Sequence, residues 1–327
     1  MKEPLKRIGL LLRRVLPLLV RTGRRPVLFV RQGAMGDILC TFPAALELKK
    51  RHPGAAFIYS CGPDFAALPA MAGVTDYVTA AHIAPESRWK FLFAAVYHFE
   101  YGDERPDTGS SQTIIAEFCR QHGVPATDAH PRLQPDSVTG SRVEKRLADR
   151  GVAGPFAVIH CGPSWPVREW PAAAWTALVQ ELKAHGLAHV VQLGSSRHVQ
   201  MGESADNTVP GTVSFVDELS LAESFALLSR ARLLVGIDSG LLHAAACLRT
   251  PAVGLFGPTS PQFRFARDSS CAFVLGRVEC QGCHHRRPRL HWMTGCPHEI
   301  KCMREIPVGE VLAAGLSQLK QGQGDTQ

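Results

Sequence analysis

Short apolar runs rich in β-branched and aromatic residues recur along the chain, separated by stretches with helical periodicity. In the first part the runs at 27–31 (VLFVR), 56–60 (AFIYS), 76–79 (DYVT) and 92–99 predict strands, with helices over 36–51 and 111–122. The segment 124–141 carries three prolines and no period, which predicts a linker. The alternation then restarts, with strands predicted at 156–161, 189–193, 213–216, 233–237, 252–256 and 271–275. Helices are predicted at 171–185, 221–231, 240–248 and 308–320. Strands alternating with helices predict an α/β protein with parallel, doubly wound sheets. Two such blocks predict two Rossmann-like domains facing a central cleft, at 26–150 and 151–327, behind an N-terminal segment 1–25.

In sheets of that kind ligands bind beyond the carboxyl ends of the strands, so the turns there are where chemistry is expected. After the first strand, Gly36 and Asp37 open a helix. An Asp in a first helical turn is stabilised by the helix dipole and caps it; in a cleft, the same ionised carboxylate can serve as a general base. After the strand FAVIHC come Ser164, a hydroxyl donor, and Arg168, a charged fork suited to phosphate. The alternative there is a polar surface loop anchored by Trp165 and Trp170. After LLVGI, the residues Asp238, Ser239 and Gly240 lead directly into LLHAAACL, with His243 one turn in. Free amides at such a helix start bind anions, and Gly257-Pro258-Thr259 forms a second glycine turn close by. Capping and a buried core histidine are the structural alternatives for Asp238 and His243.

Charge changes the picture at one end only. The whole chain has 36 Lys and Arg against 29 Asp and Glu, and eight of those cations with a single acid fall in residues 1–25. The remainder is neutral, which argues against a nucleic-acid groove. On a helical wheel the eight cations occupy one sector of roughly 140° and leucines fill most of the rest. This basic amphipathic pattern predicts contact with an anionic membrane surface, the alternative being a helix packed on the first domain. Arg13 and Arg14 interrupt a stretch already too short to span a bilayer. No small-residue cleavage site follows, as a signal peptide would require.

Ten cysteines are present. Cys40, Cys61, Cys119, Cys161, Cys247 and Cys271 lie among apolar elements and read as free thiols. Cys280, Cys283, Cys296 and Cys302 fall in a Cys-rich segment, 280–302, whose C-x-x-C start suits structural zinc. A labile disulfide or reduced thiols are the alternatives. The chain has no Asp-x-Asp pair for a divalent metal on a nucleotide diphosphate, no Walker A loop, and no Gly-x-Ser-x-Gly elbow. The absence of Gly-x-Gly-x-x-Gly argues against a dinucleotide oxidoreductase.

Four stretches, in this order, resemble glycosyltransferase family 9, the lipopolysaccharide heptosyltransferases: RQGAMGDILCTFPAAL, HCGPSWPVREWP, DSGLLHAAACLRTPAVGLFGPTSP and CMREIPVGEVL. The resemblance implies a GT-B fold, with the acceptor on the N-terminal domain and the nucleotide sugar on the C-terminal one. It implies an inverting, metal-independent transfer of a heptose from ADP-heptose to a lipid-linked lipopolysaccharide core, at the inner face of the bacterial inner membrane. By position, Asp37 matches the family's base, and Ser164 and Arg168 match residues that hold the diphosphate. Asp238, Ser239, Gly240 and His243 match the segment binding sugar and phosphates, and Leu219 matches a residue beside the nucleotide. Pro163 and Arg168 depart from the usual hydroxyl residue and Lys. The acid that contacts the ribose has no clear match unless Glu203 supplies it. A different nucleotide sugar, a non-catalytic sugar-nucleotide-binding protein, and an epimerase or hydrolase on the same scaffold are the competing readings.

Overall fold

The structure is a computed structural model that describes residues 16–79, 90–100, 113–127, 129–197, 207–266, 270–286 and 296–324. The basic segment is described only from residue 16, so most of its amphipathic pattern lies outside these residues, as does Glu203. The chain divides into two compact units, the first ending at Leu133 and the second running on from Gln134.

The first unit is built on a four-stranded parallel sheet of β1 (Val27–Val30), β2 (Phe57–Ser60), β3 (Tyr77–Thr79) and β4 (Ala95–His98), in the order β3-β2-β1-β4. Val27 pairs with Phe57 on one side and Ala95 on the other. β1 is fully buried, as a central parallel strand covered on both faces must be. Phe29 stacks on Phe57 at 5.9 Å between ring centroids and touches Tyr59, Tyr97 and Phe99. The helices Met35–Lys50 and Ile114–Gln121 pack together in this unit.

The second unit has a six-stranded parallel sheet of β5 (Phe156–His160), β6 (His189–Gln192), β7 (Val213–Ser214), β8 (Leu233–Ile237), β9 (Ala252–Phe256) and β10 (Cys271–Leu275). Its order is β10-β9-β8-β5-β6-β7. Helix Ala172–Ala184 and helix Val308–Gly324 cover the sheet, with Trp175, Leu178, Leu182 and Val311 in the core.

The helix Ser137–Asp149 begins inside the stretch predicted as a linker. Asp136 caps it, its Oδ1 accepting the Thr139 amide at 2.8 Å. This helix packs on Leu221–Leu228 of the second unit, with Arg230 bonded to Glu144 at 2.8 Å and Arg150 to Glu218 at 2.6 Å. It belongs with the second unit, so the division falls at 133 and not at the 150 expected from sequence.

Candidate functional site

In each sheet the strand order reverses at one point, and the turns flanking that point form the natural ligand crevice. In the first unit it lies between β1 and β4, and in the second between β5 and β8. Asp37, Ser164, Arg168, Asp238, Ser239, Gly240 and His243 lie on the turns and helix starts that follow β1, β5 or β8, whereas Leu219 and the four late cysteines do not.

Asp37 is the third residue of helix Met35–Lys50. Its Oδ2 accepts the Ala34 amide at 3.0 Å and lies 3.6 Å from Arg31 Nη2. Capping is therefore one thing this carboxylate does, although Ala34 has no side-chain oxygen to return the bond. Arg31 is buried and spans the reversal point, its Nη1 donating to the Phe99 carbonyl at 2.9 Å. Gly33 explains the tight approach: a Cβ there would meet Asp37 Oδ2 at 2.6 Å, and its φ of +154° suits only glycine. The Asp37 side chain keeps 23% of its surface exposed, enough for a substrate to reach it.

The second unit gathers a denser constellation. Asp238 closes β8 and is buried. Its Oδ2 accepts the Thr259 hydroxyl at 2.6 Å and lies 3.2 Å from Arg168 Nη2, while Arg168 Nη1 donates to the Asp238 carbonyl at 3.2 Å. Burial by itself would raise the Asp238 carboxyl. The charges of Arg168 and Arg264 and the Thr259 bond outweigh it and hold the group below the ordinary carboxylate range. Arg168 lies over the Trp165 ring at 3.8 Å, so Trp165 belongs to the site, whereas Trp170 is the core anchor, stacked edge-on to Trp175.

Ser239 is the N-cap of helix Gly240–Leu248, yet its side chain makes no capping bond. Its Oγ is buried and has no hydrogen-bond partner among the described residues. A buried hydroxyl left this way at a helix N-terminus is available to donate to an anionic ligand. His243 is buried one turn in and stacks on Phe265 at 4.6 Å. Burial pushes its pKa down to about 4 against the pull of Asp238, so the ring is neutral near pH 7.

Ser164 is half-buried, and its amide lies 3.5 Å from Glu169 Oε1. Leu219 is half-buried beyond β7, at the far edge of the sheet, just before helix Leu221–Leu228.

Several residues join the site that the sequence pattern did not single out. Arg264 is buried just past the Pro261–Phe263 turn and acts electrostatically on Asp238, His243, His284 and His285. His284 sits 5.4 Å from Trp165 and His285 sits 4.6 Å from Phe263, between ring centroids. They arrive because the Cys-rich segment folds back on the GPTSP turn, where the Gly282 amide donates to Gly257 O and the His284 amide to Pro258 O. Asp217 is the acid held against the turn after β6, its carboxylate accepting the Ser196 amide at 3.1 Å. Arg168 paired with Asp238, with the charge of Arg264 also acting on that carboxylate, leaves net positive charge. With the hydroxyl and amides at the start of Gly240–Leu248, the site suits a diphosphate.

Cys280, Cys283, Cys296 and Cys302 influence one another electrostatically, but no three of their sulfurs lie within 4.8 Å of one another. Cys283 feels Cys280 and Cys296, and the buried Cys302 thiol is pushed up to about 12 by burial and by the other three. The Cys302 turn is held by close contact: a Cβ at Gly276 would lie 1.8 Å from the Cys302 carbonyl oxygen.

A family model described as glycosyltransferase family 9 (heptosyltransferase) matches residues 88–293. The chain belongs to this family. It is 25% identical over 311 residues to lipopolysaccharide heptosyltransferase 1 of Pseudomonas aeruginosa, covering 79% of this chain and 85% of that protein. Among solved structures it resembles the dodecameric iron-containing heptosyltransferase TibC in complex with ADP-D-beta-D-heptose. The TM-score is 0.66 at 20% identity, over 91% of this chain and 77% of that one. It also resembles the E. coli ADP-heptose lps heptosyltransferase II, with a TM-score of 0.65 at 15% identity, over 91% and 99% of the two chains. The fold is thus of GT-B type, with two Rossmann-like units, and the family 9 protein is a glycosyltransferase. No helix among the described residues is long and apolar enough to cross a membrane.

Proposed function

We propose that this enzyme moves a heptose from ADP-heptose onto a lipid-linked lipopolysaccharide core, with inversion and without a catalytic metal. The observation that carries the reading is the Arg168–Asp238–Thr259 centre beside Arg264 and the Ser239 hydroxyl, a cationic, donor-rich pocket at the reversal point of the second sheet. The similar TibC is in complex with ADP-D-beta-D-heptose and the similar Pseudomonas aeruginosa enzyme is a lipopolysaccharide heptosyltransferase, which supports this choice of donor and acceptor. Asp37 takes the proton of the acceptor hydroxyl as its oxygen attacks the anomeric carbon. The bond from that carbon to the diphosphate oxygen breaks, and ADP leaves with the electron pair. Arg168, Arg264, Ser239 and the amides at Gly240 stabilise the departing charge, the part a metal plays elsewhere. Ser164 assists at the diphosphate, His243 at the sugar, and Leu219 beside the nucleotide. Asp217, held against the turn after β6, is the acid we assign to the ribose contact.

Calorimetric titration with ADP, UDP, GDP and CMP, each in EDTA, on wild type and Arg168→Ala tests the donor half. ADP binding that needs Arg168 and no metal supports the proposal. Preference for UDP or GDP keeps the fold and replaces the sugar donor; no binding at all favours a protein without transfer activity.

Two further parts belong to this reading. Cys280, Cys283, Cys296 and Cys302 are assigned a structural metal ion on spacing alone, either zinc, by the C-x-x-C start, or iron, the metal named for the similar TibC. A bound ion would have to draw the four sulfurs together. Thiolates of this kind suit either ion, and elemental analysis of the purified protein decides between them; neither metal above background would remove the site. The N-terminal basic segment holds the enzyme at an anionic membrane face, on the cytoplasmic side. Deleting residues 1–22 is then expected to release the protein from anionic vesicles, and unchanged binding would sink that role.

A further inference from the structure

The sheet of the first unit has two ends, and only its carboxyl end carries Asp37. The amino end opens into a concave cavity of about 360 Å³ lined by Arg24, Arg25, Arg51 and His52, among others. These residues precede β1 (Val27–Val30) and β2 (Phe57–Ser60), so parallel pairing itself brings them to one edge. The fold anchors each arginine through backbone oxygens. Arg24 donates to Pro53 O, Arg25 Nη1 to Phe91 O at 3.0 Å, and Arg51 through Nη1 to His122 O at 2.9 Å and through Nη2 to Gly123 O. No carboxylate pairs with any of these three among the described residues, whereas Arg21 is taken by Asp76 at 3.7 Å. Each fork keeps further N–H groups for another acceptor.

Apolar side chains stand out beside this charge. Five large hydrophobic residues are exposed among those described, and three of them lie along this part of the chain: Leu16, Val20 and Phe91. Val20, 82% exposed, sits four residues before Arg24 and one helical turn after Leu16. Phe91, 62% exposed, is also the residue whose carbonyl holds Arg25. Leu18 on the same turns packs instead on the core of Leu28, Val30, Ile58 and Phe93, which fixes the helical segment to the domain. Cations that seek phosphate, next to apolar side chains that gain by leaving water, are the two components of interfacial binding.

We propose that this cavity is a headgroup site for an anionic phospholipid of the bilayer. Arg24, Arg25 and Arg51 take the phosphate, and Val20 and Phe91 enter the acyl boundary. The site lies at the opposite edge of the sheet from Asp37. The inference rests on the membrane reading above and locates it on the folded domain.

The test uses the full-length protein with vesicles of phosphatidylcholine, alone or mixed with phosphatidylglycerol. Wild type is expected to sediment with the anionic vesicles only. Arg25→Gln with Arg51→Gln is expected to bind them roughly 25-fold more weakly, about fivefold for each charge removed near the surface. Phe91→Ser alters only an exposed side chain and guards against misfolding of the arginine variants; it is expected to bind severalfold more weakly. ADP affinity stays unchanged in all of them. Binding of both variants equal to wild type overturns the site while leaving membrane contact through residues 1–15 standing. No vesicle binding by wild type overturns the membrane reading as well. Displacement by millimolar inorganic phosphate with Phe91→Ser unaffected marks a soluble-anion site and overturns the lipid assignment.

Discussion

Asp37 and Asp238 look alike in sequence, each an acid at the start of a helix, and the structure separates them. Asp238 is buried between a guanidinium and a hydroxyl, so its charge organises the pocket. Asp37 caps its helix yet keeps exposed surface, which suits an acid that must meet a substrate proton. Asp37→Asn is expected to leave ADP affinity intact and to lower turnover by about 10²-fold or more, the range lost with a general base; near-normal turnover would remove it from the mechanism. Arg264→Ala is expected to weaken ADP binding by roughly 10- to 100-fold, the range for a hydrogen bond to a charged group. Calorimetry reads this directly, and unchanged affinity would mean that Arg264 serves only Asp238. For His243 the sign follows from its lowered pKa of about 4. The unfolded chain, with an ordinary histidine pKa near 6.5, binds more protons between those values, so stability falls as pH drops from about 6.5 toward 4. Denaturant unfolding at pH 5 and 7 is expected to show a smaller difference in His243→Asn than in wild type.

Among the elements, strands and central helices were legible because their apolar runs are long and bounded by glycine and proline. The strands at 233–237, 252–256 and 271–275 and the helix at 240–248 have the predicted bounds. Helix Ser137–Asp149 was not legible. Its sequence, SVTGSRVEKRLAD, has weak apolar content and a glycine, and it follows three prolines. Gly140 is explained only by its neighbour, since a Cβ there would meet Arg230 Nη2 at 2.6 Å. The turn leaving β10 (Cys271–Leu275) carries a sharper requirement. Gly276→Ala would press a methyl group against the Cys302 backbone. It is expected to destabilise the protein by about 1–3 kcal/mol, the cost of overpacking. A melting temperature equal to wild type would show that the Cys302 turn can yield.

At the scale of the molecule, parallel topology does most of the assembling. The order β10-β9-β8-β5-β6-β7 places the turns after β5 and β8 side by side, although Arg168 and Asp238 are seventy residues apart. The same geometry in the first sheet brings Asp37 to one edge and the arginine cavity to the other. If the Cys-rich segment holds metal, its loss is expected to reach the donor pocket, because His284 and His285 ride on that segment. Stripping the metal from the wild-type protein with a strong thiol-competing chelator should then weaken ADP binding, with affinity restored on reloading. ADP affinity indifferent to metal content would uncouple the two.

What the sequence determined by itself was local: where backbone hydrogen bonding alternates between strand and helix, which turns carry glycine beside an acid or a cation, and that the net charge resides at one end. Periodicity and turn chemistry act over a few residues and are read without the fold. Which residues meet was decided only by tertiary structure. Arg264 is twenty-six residues from Asp238, and only packing of the turn after β9 brings its charge to bear on that carboxylate. Trp165 and Trp170 are likewise equivalent on paper, and only the path of the chain sends one under Arg168 and the other into the core. Contacts between distant segments depend on strand order and burial, which a one-dimensional pattern constrains but does not specify.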